Sequence, residues 1–180
     1  ISFSHFPRLF SFGGWIMISN ILGPIIYYLD RFVIGSLLTM TAITYYTVPY
    51  EMASRVSIIS GSLAMTLFPA FSSLGIEHKD SLQRIYVRSI KYLILFTGPI
   101  LLILILFAND ILRIWVGEDF ARQGTLAFQF LIIGYLIAVV HPISGGLFQG
   151  LGRPDIVPKL YLAYFPFNII LIWVFVQNMG

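Results

Sequence analysis

Residues 25–55 read IIYYLDRFVIGSLLTMTAITYYTVPYEMASR. Two apolar segments are interrupted here by Asp30-Arg31 and by Glu51, and Arg55 closes the stretch. Whether 32–50 crosses a bilayer by itself or reverses inside it decides how many spans the whole chain makes. Taking every uncharged window as a span gives six windows: 9–29, 32–50, 56–76, 92–109, 123–152 and 160–180. That count needs reversals of only two residues at Asp30-Arg31 and five at 51–55, whereas helix connections take about 2–8 residues plus caps. Gly35, Thr39, Thr41, Thr44, Thr47 and Pro49 instead place a turn inside 32–50, near Leu37–Thr41. Five helices follow, at about 12–37, 42–74, 90–108, 124–149 and 157–178. The second would be near 50 Å long at about 1.5 Å per residue, against a hydrocarbon core of about 30 Å. It must tilt, kink or project, and Pro49 and Pro69 are the expected kink sites.

Composition agrees with a membrane reading. The 180 residues are 58% hydrophobic and 11% charged, with a mean hydropathy of +0.87, where soluble domains have about 45–50% apolar and about 25% charged residues. Eight acidic and eleven basic side chains cannot cover so apolar a surface in water. The fold class is therefore an all-α integral membrane protein. The absence of cysteine excludes disulfides, thiolate metal sites and a cysteine nucleophile. The chain starts at Ile1 and stops at Gly180 directly after an apolar run, so a fragment is expected. The first apolar run is too long for a signal core and lacks a small-residue cleavage site, which makes it a span.

With five spans, Arg8, Lys79, Arg84, Arg88, Lys91, Arg153 and Lys159 fall on one side, and only Arg113 and Arg122 on the other. The positive-inside rule puts the first side of this multi-pass chain in the cytoplasm. A net charge of +3 distributed in this way is a topology signal and carries no nucleic-acid footprint. Trp15, Tyr45, Tyr46, Tyr92 and Trp115 fall near expected helix ends, as an aromatic belt requires. Between the second and third helices, EHKDSLQRIYVRSIK (77–91) suits either a solvated basic connector or a short amphipathic helix on an anionic leaflet.

Asp30, Arg31, Glu51 and Arg55 are the charges that this topology forces into the bilayer, where each costs about 2.5–3.5 kcal/mol at a helix centre unless paired or hydrated. If the first helix ends near Leu37 and the second descends from near Ala42, Asp30 and Glu51 lie at similar depth. Glu51 and Arg55 are also spaced i, i+4 with the acid first. Two roles stay open: buried ion pairs that fix the hairpin, or a water-filled cavity in which the arginines attract an anion and an acid takes up a proton or responds to a cation. On the second reading Arg31 and Arg55 bind substrate, and Asp30 and Glu51 are their partners or the coupling groups.

The remaining polar residues offer less. His141, next to Pro142, suits a hydrogen bond to a neighbouring helix or a proton relay. His5 and His78 sit in loops, and no histidine has a carboxylate at ligand spacing, so no metal site and no cofactor are expected. GGLFQGLGRPD (145–155) lacks the Lys-Ser/Thr of a phosphate loop. Close packing at Gly145 and Gly146, followed by a helix stop between Gly150 and Pro154, accounts for it. No Ser-His-Asp set or carboxylate pair is placed for hydrolysis, so no enzyme is expected.

The succession FGGW (12–15), SNILGP (19–24), YLDRFVIG (28–35), YYTVPYE (45–51), LFPAFS (67–72), DILRIWVGEDF (110–120) and QGLGRPD (149–155) resembles the bacterial polysaccharide and O-antigen flippases. These belong to the superfamily of multidrug, oligosaccharidyl-lipid and polysaccharide exporters. The resemblance runs in order over nearly the whole chain and places 1–180 as part of a carboxyl-terminal helical bundle in a two-bundle transporter. It implies movement of a polyprenyl-diphosphate-linked oligosaccharide across the cytoplasmic membrane for surface polysaccharide biosynthesis. The implied partners are that lipid-linked substrate, the bilayer and an amino-terminal half, with no nucleic acid. Alternatives are a cation-coupled multidrug exporter of the same superfamily, a membrane enzyme acting on lipid-linked sugars, and a non-transporting assembly subunit.

Overall fold

The computed structural model describes residues 6–37, 40–75 and 77–179, which form eight helices with no strand among the described residues. They are α1 (Phe6–Leu37), α2 (Met40–Ser54), α3 (Ser57–Leu74), α4 (Lys79–Leu106), α5 (Ala108–Trp115), α6 (Glu118–Ala138), α7 (His141–Gly150) and α8 (Ile156–Met179). Among the described residues, four stretches are long and apolar enough to cross a membrane: Leu9–Ser36, Ile43–Leu74, Lys79–Leu106 and Glu118–Gly150. A shorter apolar stretch, Ile156–Ile170, lies in α8. The fold is that of an all-α, multi-pass membrane protein. The turn expected near Leu37–Thr41 falls on 38–39, and His5 on the first five residues, both outside the described residues.

Two of the long stretches are broken, and not where the prolines of the second helix predict. The backbone stays helical through Pro49 and Pro69. It breaks at Arg55-Val56, where the amides of Arg55, Val56, Ile58 and Ile59 each bond a carbonyl three residues back, at 3.1–3.3 Å. The cause is a run of serines. The hydroxyls of Ser54, Ser57 and Ser60 donate to the carbonyls of Glu51, Ser54 and Ser57 at 2.8, 2.5 and 3.0 Å, competing with the regular ladder. The second break, at Val139-Val140, has an ordinary proline cause: Pro142 at the start of α7 has no amide to offer the Ala138 carbonyl.

α4 corrects the expectation for 77–91. No glycine or proline interrupts the chain between Lys79 and Thr97, so the basic segment is the first part of the α4 membrane helix, with no separate surface helix. Leu82 and Leu93 are buried, Ile85 packs against the same core cluster, and the Tyr86 hydroxyl meets Ser144 Oγ at 2.8 Å. Arg84, Val87 and Arg88 lie on the exposed side.

Packing fixes how the helices run. Ala64 faces Gly146, and Phe71 faces Gly150, so α3 and α7 are parallel. Tyr45 meets Phe120 and Tyr50 meets Tyr135, so α2 and α6 are parallel too. Trp15 near the start of α1 lies under the Lys159 ammonium near the start of α8. The three rising elements, α1, α4 and α8, thus begin at one end, which carries Lys79, Arg84, Arg88, Arg153 and Lys159; we call it the basic end. Arg113 and Arg122 stand at the other. One buried cluster, with Leu112, Phe128 and Ile132, fills the half toward that opposite end. A second, with Phe71, Leu93 and Ile143, fills the basic half. In lipid such cores hold by close packing, since the surrounding chains are as apolar as the side chains themselves.

The glycine expectation also needs correcting. A Cβ on Gly145 or Gly146 would find ordinary spacing, 3.9 Å to Val157 and 3.6 Å to the Ala64 carbonyl oxygen. The tight approach is at Gly150, where a Cβ would come within 2.9 Å of Phe71 Cβ and 3.2 Å of the Ser72 amide. The helix stop just beyond it is a Schellman motif. Gly152 has φ +72°, its amide reaches the Gln149 carbonyl at 3.0 Å, and that of Arg153 reaches Phe148 at 2.8 Å.

Candidate functional site

Asp30, Arg31, Glu51 and Arg55 do come together, across the α1–α2 hairpin. Arg31 Nη2 donates to Glu51 Oε1 at 2.9 Å, and Arg55 Nη2 lies 4.0 Å from Glu51 Oε2. Asp30 accepts from its neighbour's amide, Arg31 N, at 2.8 Å and from the Tyr46 hydroxyl on α2. The two arginines differ in kind. The Arg31 side chain is only 12% exposed, while that of Arg55, at the α2–α3 break, is 72% exposed. Glu51, with 43% of its side chain exposed, bridges them.

Tyrosines make up the rest of this site; of these the sequence pattern places only Tyr46, in the aromatic belt, and assigns no role to Tyr27, Tyr28, Tyr50 or Tyr135. Arg31 Cζ sits 4.4, 5.0 and 5.4 Å from the ring centres of Tyr50, Tyr28 and Tyr27, within cation–π range. Tyr27 packs edge-on against Tyr50 at 5.0 Å, and Tyr50 against Tyr135 of α6 at 6.0 Å. Arg31 Nε is buried without a hydrogen-bond partner in this box. The signal was present in the spacing: Tyr27 and Arg31 are i, i+4 on α1, as are Tyr46 and Tyr50 on α2, so each pair shares a helix face.

Beyond the tyrosines opens a cleft of about 570 Å³, walled by Tyr27, Tyr46, Tyr50 and Tyr135, with Gly134 on its α6 side. Both helix breaks reach it, through Ser57 on one side and Ala138, His141 and Pro142 on the other. His141 is tied to α8: its Nε2 is 3.3 Å from the Tyr161 hydroxyl, and the two rings stack 5.8 Å apart. His78 packs locally, with Nδ1 3.3 Å from the Leu74 carbonyl oxygen. Among the described residues no group of three His, Asp or Glu is placed to hold a metal ion.

At the basic end, outside the spans, Asp155 accepts from Arg153 Nε at 3.1 Å and from Lys159 Nζ at 2.6 Å. These hydrogen bonds, that from Arg153 foremost, hold its carboxyl well below the usual carboxylate range. The triad pins the α7–α8 turn to the first turn of α8, and Lys159 Nζ reaches over Trp15 of α1 at 5.2 Å.

The chain spans about two fifths of the length of the curated relatives it matches. A protein of Shigella flexneri named as an O-antigen transporter is 27% identical over 178 residues, covering 99% of this chain and 42% of the relative. A protein of Haloferax volcanii named as a low-salt glycan biosynthesis flippase is 24% identical, over 99% of this chain and 38% of the relative. An uncharacterised membrane protein of Methanocaldococcus jannaschii is 24% identical, over 96% and 34%. No solved structure matches the chain. The sequence pattern of one family, described as polysaccharide biosynthesis protein, fits residues 1–123, which include the hairpin with its four charges and four of the tyrosines around them, and on that match the chain belongs to the polysaccharide biosynthesis protein family.

Proposed function

We propose that this protein is a flippase that moves a polyprenyl-diphosphate-linked oligosaccharide from the cytoplasmic to the outer leaflet of the inner membrane for surface polysaccharide assembly. The observation that carries the reading is likeness over 99% of the chain to proteins named as an O-antigen transporter and a glycan flippase. It is supported by a charge cluster kept inside apolar helices at a cost that a passive span would not bear. On this reading the chain is part of one of two helical bundles, its basic end faces the cytoplasm, and it transports without catalysing a reaction and without a metal or cofactor.

On this reading the labour is divided among Arg55, Arg31 and Glu51. A sugar-diphosphate head loses its water on entering about 30 Å of hydrocarbon, and fixed polar groups must replace it. Arg55, exposed and 4.0 Å from its acid, is the group able to swing toward an anion. Arg31, boxed by rings and held by Glu51, keeps that acid in place. Glu51 is the coupling group: whatever neutralises it, a proton or a passing cation, frees Arg55 and loosens the hairpin at the α2–α3 break. The test is deletion of the gene in its host, followed by measurement of lipid-linked oligosaccharide in the membrane and polymer at the surface. Accumulated precursor with lost polymer is expected. Unchanged precursor and polymer would overturn the reading, and loss of the precursor itself would assign the protein to an earlier step.

A further inference from the structure

The tyrosine cleft has a chemistry that neither the charge cluster nor the topology uses. Tyrosine at the end of a membrane helix is ordinary, because its hydroxyl finds water there. Tyr27 is not at such an end: nine residues, or about 14 Å of helix, separate it from Ser36, and Tyr50 is seven residues inside Ile43. Four half-buried tyrosines nevertheless converge on one cleft, and Asp30 behind them fixes the Tyr46 hydroxyl. Where they converge, the backbone is broken twice. Ser57 opens α3 on one side, and on the other Pro142 leaves the Ala138 carbonyl without its helical donor. Polar backbone at depth in a membrane protein is tolerated where it lines a cavity, and discontinuous helices in transporters place such groups against substrate.

Among the described residues no lysine or arginine lines this cleft. Arg31 lies behind the rings and donates to Glu51, and His141 is engaged with Tyr161. The cleft therefore lacks what a diphosphate needs. Its wall is mostly apolar, with Ala127, Phe130 and Leu131 beside the tyrosine rings, and into that surface Ser57 and the four tyrosines set hydroxyl groups that a prenyl tail does not need. A pyranose ring has an apolar C–H face and a hydroxyl edge, and a tyrosine offers both complements, a ring face and a hydroxyl at its tip. At about 570 Å³ the cleft lies within the usual range for small-ligand sites, about 300–1,000 Å³.

We propose that the cleft between α1, α2 and α6, walled by Tyr27, Tyr46, Tyr50 and Tyr135, binds sugar rings of the glycan head, apart from the groups that meet its diphosphate. The assignment rests on the flippase reading and names which part of that substrate the cleft takes. Sugar units pack against the tyrosine faces, their hydroxyls meet the tyrosine hydroxyls and the freed backbone at the breaks, and Arg55 remains for the anion. Binding there also presses on both breaks at once, so the sugar head and the bending of α2–α3 and α6–α7 are linked.

Gly134 gives the test. It lines the cleft, and a Cβ there meets nothing within 4 Å at ordinary helical φ, so Gly134→Ala is the control for the backbone change and Gly134→Leu carries side-chain bulk into the cleft. The full-length protein in nanodiscs is titrated with the host's polyprenyl-diphosphate-linked oligosaccharide and, separately, with polyprenyl diphosphate carrying no sugar. Gly134→Leu is expected to weaken binding of the sugar-bearing lipid by about tenfold, the worth of one or two lost aromatic contacts, and to leave the sugar-free lipid within about twofold. Tyr135→Phe, which keeps the ring and loses the hydroxyl, is expected to fall between wild type and Tyr135→Leu. Equal loss for both lipids would overturn the proposal in favour of a tail or diphosphate site, and no loss for either would overturn it outright. Wild-type protein that binds neither lipid would overturn the flippase reading itself, and the subsite with it.

Discussion

Glu51 stands between a covered arginine and an exposed one, so its removal and the removal of Arg55 should differ sharply. The Arg31–Glu51 pair, at 2.9 Å with the Arg31 side chain 12% exposed, has a gross attraction of about 6 kcal/mol at an effective dielectric constant of about 20. Most of that offsets desolvation, but removing one partner of such a pair strands the other, at about 3–5 kcal/mol. The cover is a single layer of tyrosine rings, which puts Glu51→Ala near the lower figure, about 3 kcal/mol. Arg55 is 72% exposed and 4.0 Å away, worth about 1 kcal/mol gross in water and about 0–1 kcal/mol net. At about 2–4 °C per kcal/mol for chains of 150–250 residues, Glu51→Ala should lower the melting temperature in mild detergent by about 6–12 °C, and Arg55→Ala by less than about 4 °C. The double variant Arg31→Met/Glu51→Leu removes both charges and fills the space, and should recover most of the loss. Equal shifts for Glu51→Ala and Arg55→Ala, or a double variant no better than Glu51→Ala, would refute the assignment of Arg31 as the covered partner.

The other predictions concern export, packing and pH. Arg55→Ala should reach the membrane at near-normal abundance yet cut surface polymer severalfold, measured side by side with Arg55→Lys; unchanged export at equal abundance would remove Arg55 from the transport path. Gly150→Ala should destabilise by about 1–3 kcal/mol through overpacking against Phe71, whereas Gly146→Ala should stay within about 1 kcal/mol or stabilise the helix, as read by thermal unfolding of the two variants. Because the folded carboxyl of Asp155 titrates below its unfolded value near 3.9, its contribution is fully present above about pH 4 and is lost as pH falls through the folded value. Asp155→Asn should therefore flatten the acid limb of the stability profile while leaving the slope between pH 6 and 8 unaltered.

Much of the hairpin was legible because charge inside an apolar run is conspicuous, and helical rise converts its position into depth. Glu51 at the level of Asp30-Arg31 follows from counting residues to either side of the turn, and the Arg31–Glu51 contact is the result. What the count could not give is which arginine is covered, since that depends on which tyrosines lie beside it. Tyr45 shows the difficulty: it sits one residue from Tyr46, yet it packs on Phe120, while Tyr46 turns to Asp30. Placing the kink at Pro49 or Pro69 followed the stronger rule and missed the weaker one. α2 and α3 absorb the missing amides of Pro49 and Pro69, and three serines at successive i+3 positions, each bonding back, place the break instead.

The same serine run explains why the break falls where it does in relation to the charges. Ser54 donates to the carbonyl of Glu51 itself, and Arg55, the next residue, begins the short-turn segment. The backbone that carries Glu51 and the backbone that bends are therefore one piece, the five residues from Glu51 to Arg55. A change in the charge of Glu51 alters its hold on Arg31 across the hairpin and on Arg55 across the break. In a straight helix such a change would be met by a side-chain rotation and go no further. Here it acts on a segment whose amides already have a second set of acceptors, so the angle between α2 and α3 can follow. Substituting Ser54 and Ser57 by Ala together restores the regular ladder while leaving all four charges in place. If the break couples charge to movement, that variant keeps its abundance and stability but exports slowly; export at the wild-type rate would make the break a feature of packing alone.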